Sequence, residues 1–347
     1  MAPCQFKKGL RFSIGDSQQL SFYKKKFRGV MQGFGRYLED GAQQTLAAII
    51  DSPAEHWWKD FLTRWQPSGS ENGLRLALRR NYMNFYLCGQ SVGRVGFDHG
   101  GMPYVETHAK YAFGEEQLAK YVRLSGNRFV HPGTGVAHSY EGMSTLIQWV
   151  KRAASKAGEE KRFVERVVAE NASVIDLEMA LPAFDDRRRA PRIDLVALEQ
   201  CADRIKVVFW EAKLVKDSRL VARGRPEVLT QLEDYKQYMA DSQRRKQVAG
   251  AYANTCAQTL RFHDMAQRLG LSVRAADPMV IEVARDSAIL DIDPVPRLLI
   301  LDDGSTSEAR RLHLERLRST EFGAPVPIVM AQSDAAIKLC RPEAVDG

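Results

Sequence analysis

The pattern of apolar and polar positions predicts helices and then short strands in the first part of the chain. Leu46, Ile49 and Ile50 recur at helical spacing, and apolar residues continue at 57–62 beyond Pro53. Because proline ends a helix, this pattern predicts two helices within residues 37–65. The short apolar runs that follow, typical of hairpins in a small antiparallel sheet, lie at 74–78, 83–87, 91–97 and 104–111.

A glycine-rich stretch separates this region from the rest. Residues 124–142 contain four glycines and Pro132, a composition typical of a boundary between structural units. We therefore predict a smaller N-terminal α+β domain over residues 1–142 and a second domain over 143–347.

The second region alternates between helical and strand patterns. A long helical pattern over 144–170 is divided at Gly158, and further helices are predicted at 226–239, 244–269 and 308–318. This order predicts an α/β fold, with a mixed central sheet flanked by helices. The predicted strands lie at 173–183, 192–198, 205–214, 279–283, 297–301 and 326–330.

Charged residues interrupt two of these apolar strands. Glu211 and Lys213 lie two apart, so they share one face of a strand, and Asp194 interrupts the preceding strand. Buried charges are costly unless they meet a metal, a partner or water. If the two strands pair, the three groups can converge at one end of the sheet. A strand-end salt bridge for Glu211 and Lys213, and a turn or capping role for Asp194, are the structural alternatives.

This arrangement suits metal-dependent hydrolysis of phosphodiesters. Carboxylates hold hard divalent cations, which activate water, and a lysine can orient that water and stabilise developing charge. Asp194 followed by Glu211-Ala212-Lys213 resembles the PD-(D/E)XK nuclease signature, with Ile193 where the name calls for proline. The resemblance implies a restriction-endonuclease-like fold of order α–β–β–β–α–β and a Mg²⁺ or Mn²⁺ cofactor held by Asp194 and Glu211.

Two further features extend the resemblance. Members of this superfamily usually carry a glutamate on the helix before the sheet, for which we choose Glu165 as a third metal ligand, with Glu170 as the rival. Gln231 and Tyr235 form a Q-x-x-x-Y pattern that resembles the RecB-like branch, where these residues lie beside the metal site. The alternatives are a solvated helix face for Glu165 and a packing pair for Gln231 and Tyr235.

Charge indicates a polyanionic partner. The chain of 347 residues has a formal net charge of +7, which favours nucleic acid weakly. Arg187–Arg189 precede the Asp194 strand, and Arg223 and Arg225 follow the Glu211 strand. We predict that Arg223 and Arg225 contact nucleic acid, the alternative being a solvated basic loop.

The remaining features narrow the class of protein. No apolar run reaches the about 18 residues of a membrane span, and the first residues lack an apolar signal sequence. We therefore expect a cytoplasmic protein without a membrane partner. The five cysteines have no metal-site spacing.

Lys24–Arg28 is a basic run of the kind that is usually solvated surface. Tyr82, Phe85 and Tyr86 are interpreted as core, with an aromatic nucleic-acid platform as the alternative.

Three functional hypotheses remain. The leading one is a Mg²⁺-dependent deoxyribonuclease, with restriction, phage defence or repair as possible settings. The second is an inactive nuclease-like fold that binds nucleic acid or protein, and the third is an unrelated basic α/β protein. The chain has no GxxxxGK[ST] phosphate loop, so ATP-driven translocation would require a helper protein. A homodimer is also left open.

Overall fold

The helices and strands of the computed structural model follow the apolar pattern closely. The structure describes residues 33–65, 73–115, 120–184, 192–221, 224–333 and 335–339. The basic runs Lys24–Arg28 and Arg187–Arg189 lie outside these residues. From Phe34 onward the chain forms one compact unit, and the boundary predicted between residues 142 and 143 stays a prediction.

The first part of this unit contains two helices and an antiparallel sheet. Helices α1 (Asp40–Asp51) and α2 (Trp57–Arg64) lie on either side of Pro53, as predicted. The sheet has five strands in the order β1 to β5. Its strands are β1 (Arg75–Arg79), β2 (Tyr82–Leu87), β3 (Gln90–Phe97), β4 (Pro103–His108) and β5 (Tyr121–Leu124).

The end of β4 differs from the predicted strand at 104–111. Helix α3 (Ala109–Phe113) begins there because the side chain of His108 accepts a hydrogen bond from the amide of Lys110 and caps the helix. A two-stranded sheet of β6 (Arg128–Val130) and β7 (Ala137–Ser139) follows.

The second part is built around a mixed sheet, which makes the fold mixed α/β. Helices α4 (Met143–Ala154) and α5 (Glu159–Glu170) are separated at Gly158, as predicted. The sheet order is β13-β12-β10-β9-β8, with β11 also paired to β10. Its strands are β8 (Val174–Ala180), β9 (Arg192–Cys201), β10 (Arg204–Leu214), β11 (Leu290–Ile292), β12 (Arg297–Asp302) and β13 (Ile328–Gln332).

Helices cover this sheet, and most of them were predicted. They are α6 (Glu227–Ala240), α7 (Ser242–Arg268), α8 (Pro278–Arg285) and α9 (Glu308–Arg318). The strand predicted at 279–283 is wrong, because this segment is α8. Asp277 accepts from the amide of Met279, Pro278 suits the first helical turn, and Val280 and Val283 share the buried face. None of the helices in the described ranges combines the length and apolarity needed to cross a membrane.

A buried ion cluster and a long helix connect the two parts. Asp176 on β8 accepts from Arg36 at 2.8 Å, Arg79 at 2.6 Å and the hydroxyl of Tyr252 at 3.1 Å. Burial opposes the charge of Asp176, but the two arginines outweigh it and lower the pKa of its carboxyl. Helix α7 packs Phe262 against the core beside the first sheet and Tyr252 against the core beside the second.

Candidate active site

Asp194 and Glu211 lie on adjacent strands, as the sequence predicts. Strands β9 and β10 are antiparallel, and Leu195 pairs with Trp210, the neighbours of the two acidic residues. The amide of Ala212 donates a hydrogen bond of 3.0 Å to Oδ2 of Asp194. This bond fixes the Asp194 carboxylate beside the strand that carries Glu211.

Lys213 joins the two carboxylates. Its Nζ lies 2.5 Å from Oε1 of Glu211 and 3.8 Å from Oδ2 of Asp194, and it also donates to the carbonyl of Ala212 at 2.9 Å. The Lys213 side chain is 1% exposed. The buried ammonium of Lys213 therefore forms ion pairs with both carboxylates.

Burial perturbs the ionisation of Glu211. Desolvation is the largest cause, followed by the charge of Asp194, and together they raise the pKa of Glu211 to about 7 although Lys213 opposes them. Burial and the charge of Asp194 therefore both favour the protonated form of Glu211. Perturbed acids of this kind are common at functional sites.

A second lysine lies at the rim of the site. Nζ of Lys161, from the first turn of α5, is 3.3 Å from Oδ1 of Asp194 and also contacts Glu178. Burial opposes the charge of Lys161, but Asp194 and Glu178 outweigh it and raise the pKa of its ammonium. The side chains of Lys161 and Glu178 are partly exposed, so this rim faces solvent.

Glu178 reaches the rim through an unusual backbone conformation. Its neighbours Leu177 and Met179 pair with Leu195 and Ile193, so Glu178 lies level with Asp194 in the sheet. Its φ is +48°, in the left-handed region that non-glycine residues adopt at a cost. This conformation interrupts the normal alternation of side chains along β8.

Glu160 and Arg219 complete the group. Arg219 donates to Glu160 at 3.0 Å and to Asp217 at 2.5 Å. Burial raises the pKa of Glu160; Lys213 lowers it and Asp194 raises it. Glu160 and Lys161 are consecutive residues in the first turn of α5, and Lys161 contacts Asp194.

Glu165, expected as a third metal ligand, does not join this group. Its Oε1 accepts from Arg75 at 2.7 Å and its Oε2 from the amide of Cys88 at 3.0 Å. Both carboxylate oxygens are therefore used to attach α5 to the first sheet. Glu170, the rival, contacts the amide of Ile337. The α5 residue that contacts Asp194 is Lys161, and the glutamate next to it in the first turn of the helix is Glu160.

Gln231 and Tyr235 lie on α6, as predicted. Tyr235 is buried and donates to the carbonyl of Met179 at 3.2 Å. Burial raises its pKa well above the ordinary value, and the charges of Glu211 and Asp194 add to this effect, as expected for a residue beside the site. Among the described residues, Oε1 of Gln231 is buried without a hydrogen-bond partner, which leaves an acceptor for a ligand.

The two predicted nucleic-acid contacts, Arg223 and Arg225, lie between β10 and α6. Arg225 is exposed, donates to the carbonyl of Phe322 at 3.4 Å and lines a groove with Leu229. Arg223 lies outside the described residues. Both remain predicted phosphate contacts.

The donor set must be tested against the expected cation. Within the described part of the chain, no group of three or more His, Cys, Asp and Glu side chains is arranged to hold a metal ion. Mg²⁺ commonly uses only one or two carboxylates and completes its shell with water and substrate phosphate oxygens. Asp194 and Glu211, on adjacent strands, provide such a pair of oxygen donors.

The sequence held a signal for the residues that were missed. Asp176 and Glu178 both interrupt an apolar strand, which is the criterion that selected Asp194. Glu160 and Lys161 lie in the first turn of α5, which begins after Gly158. Arg219 was not missed: it belongs to the basic loop predicted after the Glu211 strand, and it lies there in a short helical turn, Ser218–Leu220.

Comparisons with protein-family models, with curated proteins and with solved structures gave no match to this chain.

Proposed function

We propose that this protein is a metal-dependent nuclease that hydrolyses phosphodiester bonds of DNA, with Asp194, Glu211 and Lys213 at its centre. The observation that carries the proposal is the contact of the Lys213 ammonium with both carboxylates inside the sheet. Replacing a buried ion pair with apolar residues is often neutral or stabilising, so such a group is weak evidence for a purely structural role. A catalytic role explains why three charges are kept there.

The proposed chemistry assigns a role to each residue. Asp194 and Glu211 would hold a Mg²⁺ or Mn²⁺ ion, which supplies an activated water and polarises the phosphate. Lys213 would leave its pairing with Glu211, orient the attacking water and stabilise the negative charge that builds on the phosphate. Glu160 and Lys161 would surround the reacting groups, with Lys161 also neutralising Asp194 and Glu178.

Residues on α6 and its preceding loop would hold the substrate. The unpaired Oε1 of Gln231 provides an acceptor, and Tyr235 holds α6 against β8 through its bond to Met179. Arg223 and Arg225 are proposed to contact phosphates on either side of the scissile bond.

The order of elements supports the finer assignment to the restriction-endonuclease-like fold and the PD-(D/E)XK superfamily. Helix α5, strands β8, β9 and β10, helix α6 and strand β12 occur in that order, and β12 lies parallel to β10. With α7, α8 and β11 inserted between α6 and β12, this order is compatible with the α–β–β–β–α–β succession that the sequence resemblance implies.

A cleavage assay tests the proposal. Purified protein is incubated with single-stranded and double-stranded DNA and with RNA, in Mg²⁺, Mn²⁺ or EDTA. We expect cleavage of DNA that requires the metal and is lost in Lys213→Met, a change that keeps side-chain volume. Cleavage by the variant at the unchanged rate would overturn the assignment, as would no cleavage of any substrate with either metal. In the second case a nuclease-like binding module becomes the better explanation.

A further inference from the structure

One face of the five-stranded sheet is only half covered. Met83, Phe85 and Val95 point to the face that packs against the first core. On the other face, Ala77 and Tyr86 pack against the core beneath the second sheet. This second face continues across β3, β4 and β5, where its side chains are partly or fully exposed.

The exposed half carries tyrosines and arginines in register. Arg94, Glu106 and Arg123 pair across β3, β4 and β5, and His108 pairs with Tyr121 in the next row. Tyr104 lies opposite Gly96. Tyr121 is 61% exposed and the Arg123 side chain 49%. We call Tyr82, Arg94, Tyr104, Tyr121 and Arg123 the tyrosine–arginine face.

Gly96 lets the ring of Tyr104 lie across the neighbouring strand. A Cβ atom at Gly96 would come within 2.6 Å of Cζ and the hydroxyl of Tyr104, so only glycine leaves room for this ring position. The Arg123 guanidinium lies 3.5 Å from the ring centroid and is held by Glu106 at 2.9 Å. The result is a prearranged stack of ring and guanidinium on the surface of the sheet.

A second stack repeats the arrangement on β2 and β3. The guanidinium of Arg94 lies 4.3 Å from the ring centroid of Tyr82. Phe85 and Tyr86 are buried, as the core interpretation predicts, whereas Tyr82 points to the opposite side from Phe85 and is only partly buried. Of the three aromatic residues considered for a nucleic-acid platform, only Tyr82 is therefore available, together with Tyr104 on β4 and Tyr121 on β5.

We propose that the tyrosine–arginine face binds a single strand of nucleic acid. Unpaired bases stack on aromatic rings and on guanidinium planes, and arginines also attract the phosphates between them. The charge of Arg123 is offset by Glu106 and Asp98, so Arg94 supplies most of the attraction of this face for phosphates. As the substrate class of the nuclease this rests on the proposed function, but binding is measurable without cleavage.

Fluorescence anisotropy in EDTA tests the proposal on the full chain. The probes are labelled DNA and RNA single strands of about 20 nucleotides, longer than the about 4 to 16 that comparable single-strand binding folds cover, and a DNA duplex. We expect Tyr121→Ala to weaken single-strand binding about tenfold, which is about 1.4 kcal/mol. Tyr121→Phe should bind normally because it keeps the ring. The relative affinities for the DNA and RNA strands identify the preferred nucleic acid.

A matched pair of arginine variants separates stacking from general charge. Arg123 and Arg311 are both exposed and each is paired with a glutamate. We expect Arg123→Ala to weaken binding and Arg311→Ala to leave it unchanged. Equal effects of these two variants, or unchanged single-strand affinity in Tyr121→Ala, would overturn the proposal. An equal loss of duplex binding in Tyr121→Ala would also overturn it, because paired bases cannot stack on the face.

The outcome is distinguishable from that of the nuclease proposal. Normal binding of the unchanged protein without cleavage under any metal condition would support the tyrosine–arginine face and reject the nuclease. If Tyr121→Ala changes neither cleavage nor single-strand affinity, the nuclease proposal is supported and the tyrosine–arginine face is rejected.

Discussion

Nζ of Lys213 lies 2.5 Å from Oε1 of Glu211, so the lysine ammonium is paired with a carboxylate that the proposed function assigns to the metal ion. An ammonium and a divalent cation are therefore expected to compete for Glu211. This competition has a measurable consequence for each of the two residues.

We predict that Glu211→Gln and Asp194→Asn each weaken Mg²⁺ binding by at least about tenfold, since each removes an anionic ligand. Lys213→Met should bind Mg²⁺ at least as tightly as the unchanged protein, because its ammonium no longer competes. Calorimetric titration of Mg²⁺ without nucleic acid measures all three. Weaker metal binding in Lys213→Met than in the unchanged protein would contradict the arrangement.

Glu160 and Glu165 form a natural pair for comparison, since both lie on α5. Glu160→Gln is expected to reduce cleavage about tenfold or more, because Glu160 is next to Lys161, which contacts Asp194. It should change stability little, because the Glu160 side chain is partly exposed. Glu165→Gln should instead lower the free energy of unfolding by about 1.5–3 kcal/mol, since it weakens a buried, charged hydrogen bond to Arg75. Urea unfolding and cleavage rates of both variants decide the matter. The reverse pattern would restore Glu165 as the site residue.

The stability of the metal-free protein should depend on Glu211 in a defined pH range. Burial, with Asp194 next, raises its pKa from 4.5 to about 7 in the folded state. Between these values the folded protein binds more protons than the unfolded chain, so this group's contribution to the free energy of unfolding falls as pH rises from about 4.5 to about 7. The stability of Glu211→Gln relative to the unchanged protein should therefore be higher at pH 8 than at pH 5. Unfolding in EDTA at both pH values measures this difference. A gain equal at both pH values would contradict this.

Asp176 should be essential for folding stability. Asp176→Asn leaves Arg36 and Arg79 buried without their charge partner, which is expected to cost about 3–5 kcal/mol. Asp264→Asn is the control, because Asp264 is paired with Arg268 but is 64% exposed, and exposed pairs contribute at most about 1 kcal/mol. Similar urea midpoints for the two variants would argue against a stabilising cluster at Asp176.

Arg225 is predicted to contact a phosphate. Arg225→Ala should reduce the slope of log affinity against log salt by about 0.7 to 0.9, the value for one phosphate contact. Metal affinity should not change, since an arginine is not a ligand. DNA binding titrated at several salt concentrations gives the slope, with Arg311→Ala as the control. A slope that stays the same would mean that Arg225 only serves the bond to Phe322.

The sequence was most informative where periodicity and chemistry agreed. The apolar runs around Asp194 and Glu211 predicted both strands, and the shared face of Glu211 and Lys213 follows from strand geometry alone. Segment 279–283 was misread because a short apolar run fits either a strand or a buried helix face. The Asp277–Pro278 cap was the available signal.

The rest of the site depends on tertiary arrangement. Which face of α5 meets the sheet is set by its packing, so the helical pattern could not show that Glu165, chosen over Glu170, is used in contacts with the first sheet. Tyr104 and Arg123 lie about twenty residues apart along the chain, and only the β4–β5 register brings them together. Sequence spacing alone does not specify that register.

The left-handed backbone at Glu178 implies a conflict between stability and activity at this position. Glycine or asparagine would adopt a φ of +48° with less strain, so selection for thermal stability alone would favour replacing the glutamate. The Lys161 ammonium contacts the carboxylates of both Glu178 and Asp194, and either replacement would remove the first of them. If the site is catalytic, retention of Glu178 is a stability–activity trade-off, and heat-stable variants of this protein would be expected to lose nuclease activity first through changes at residue 178.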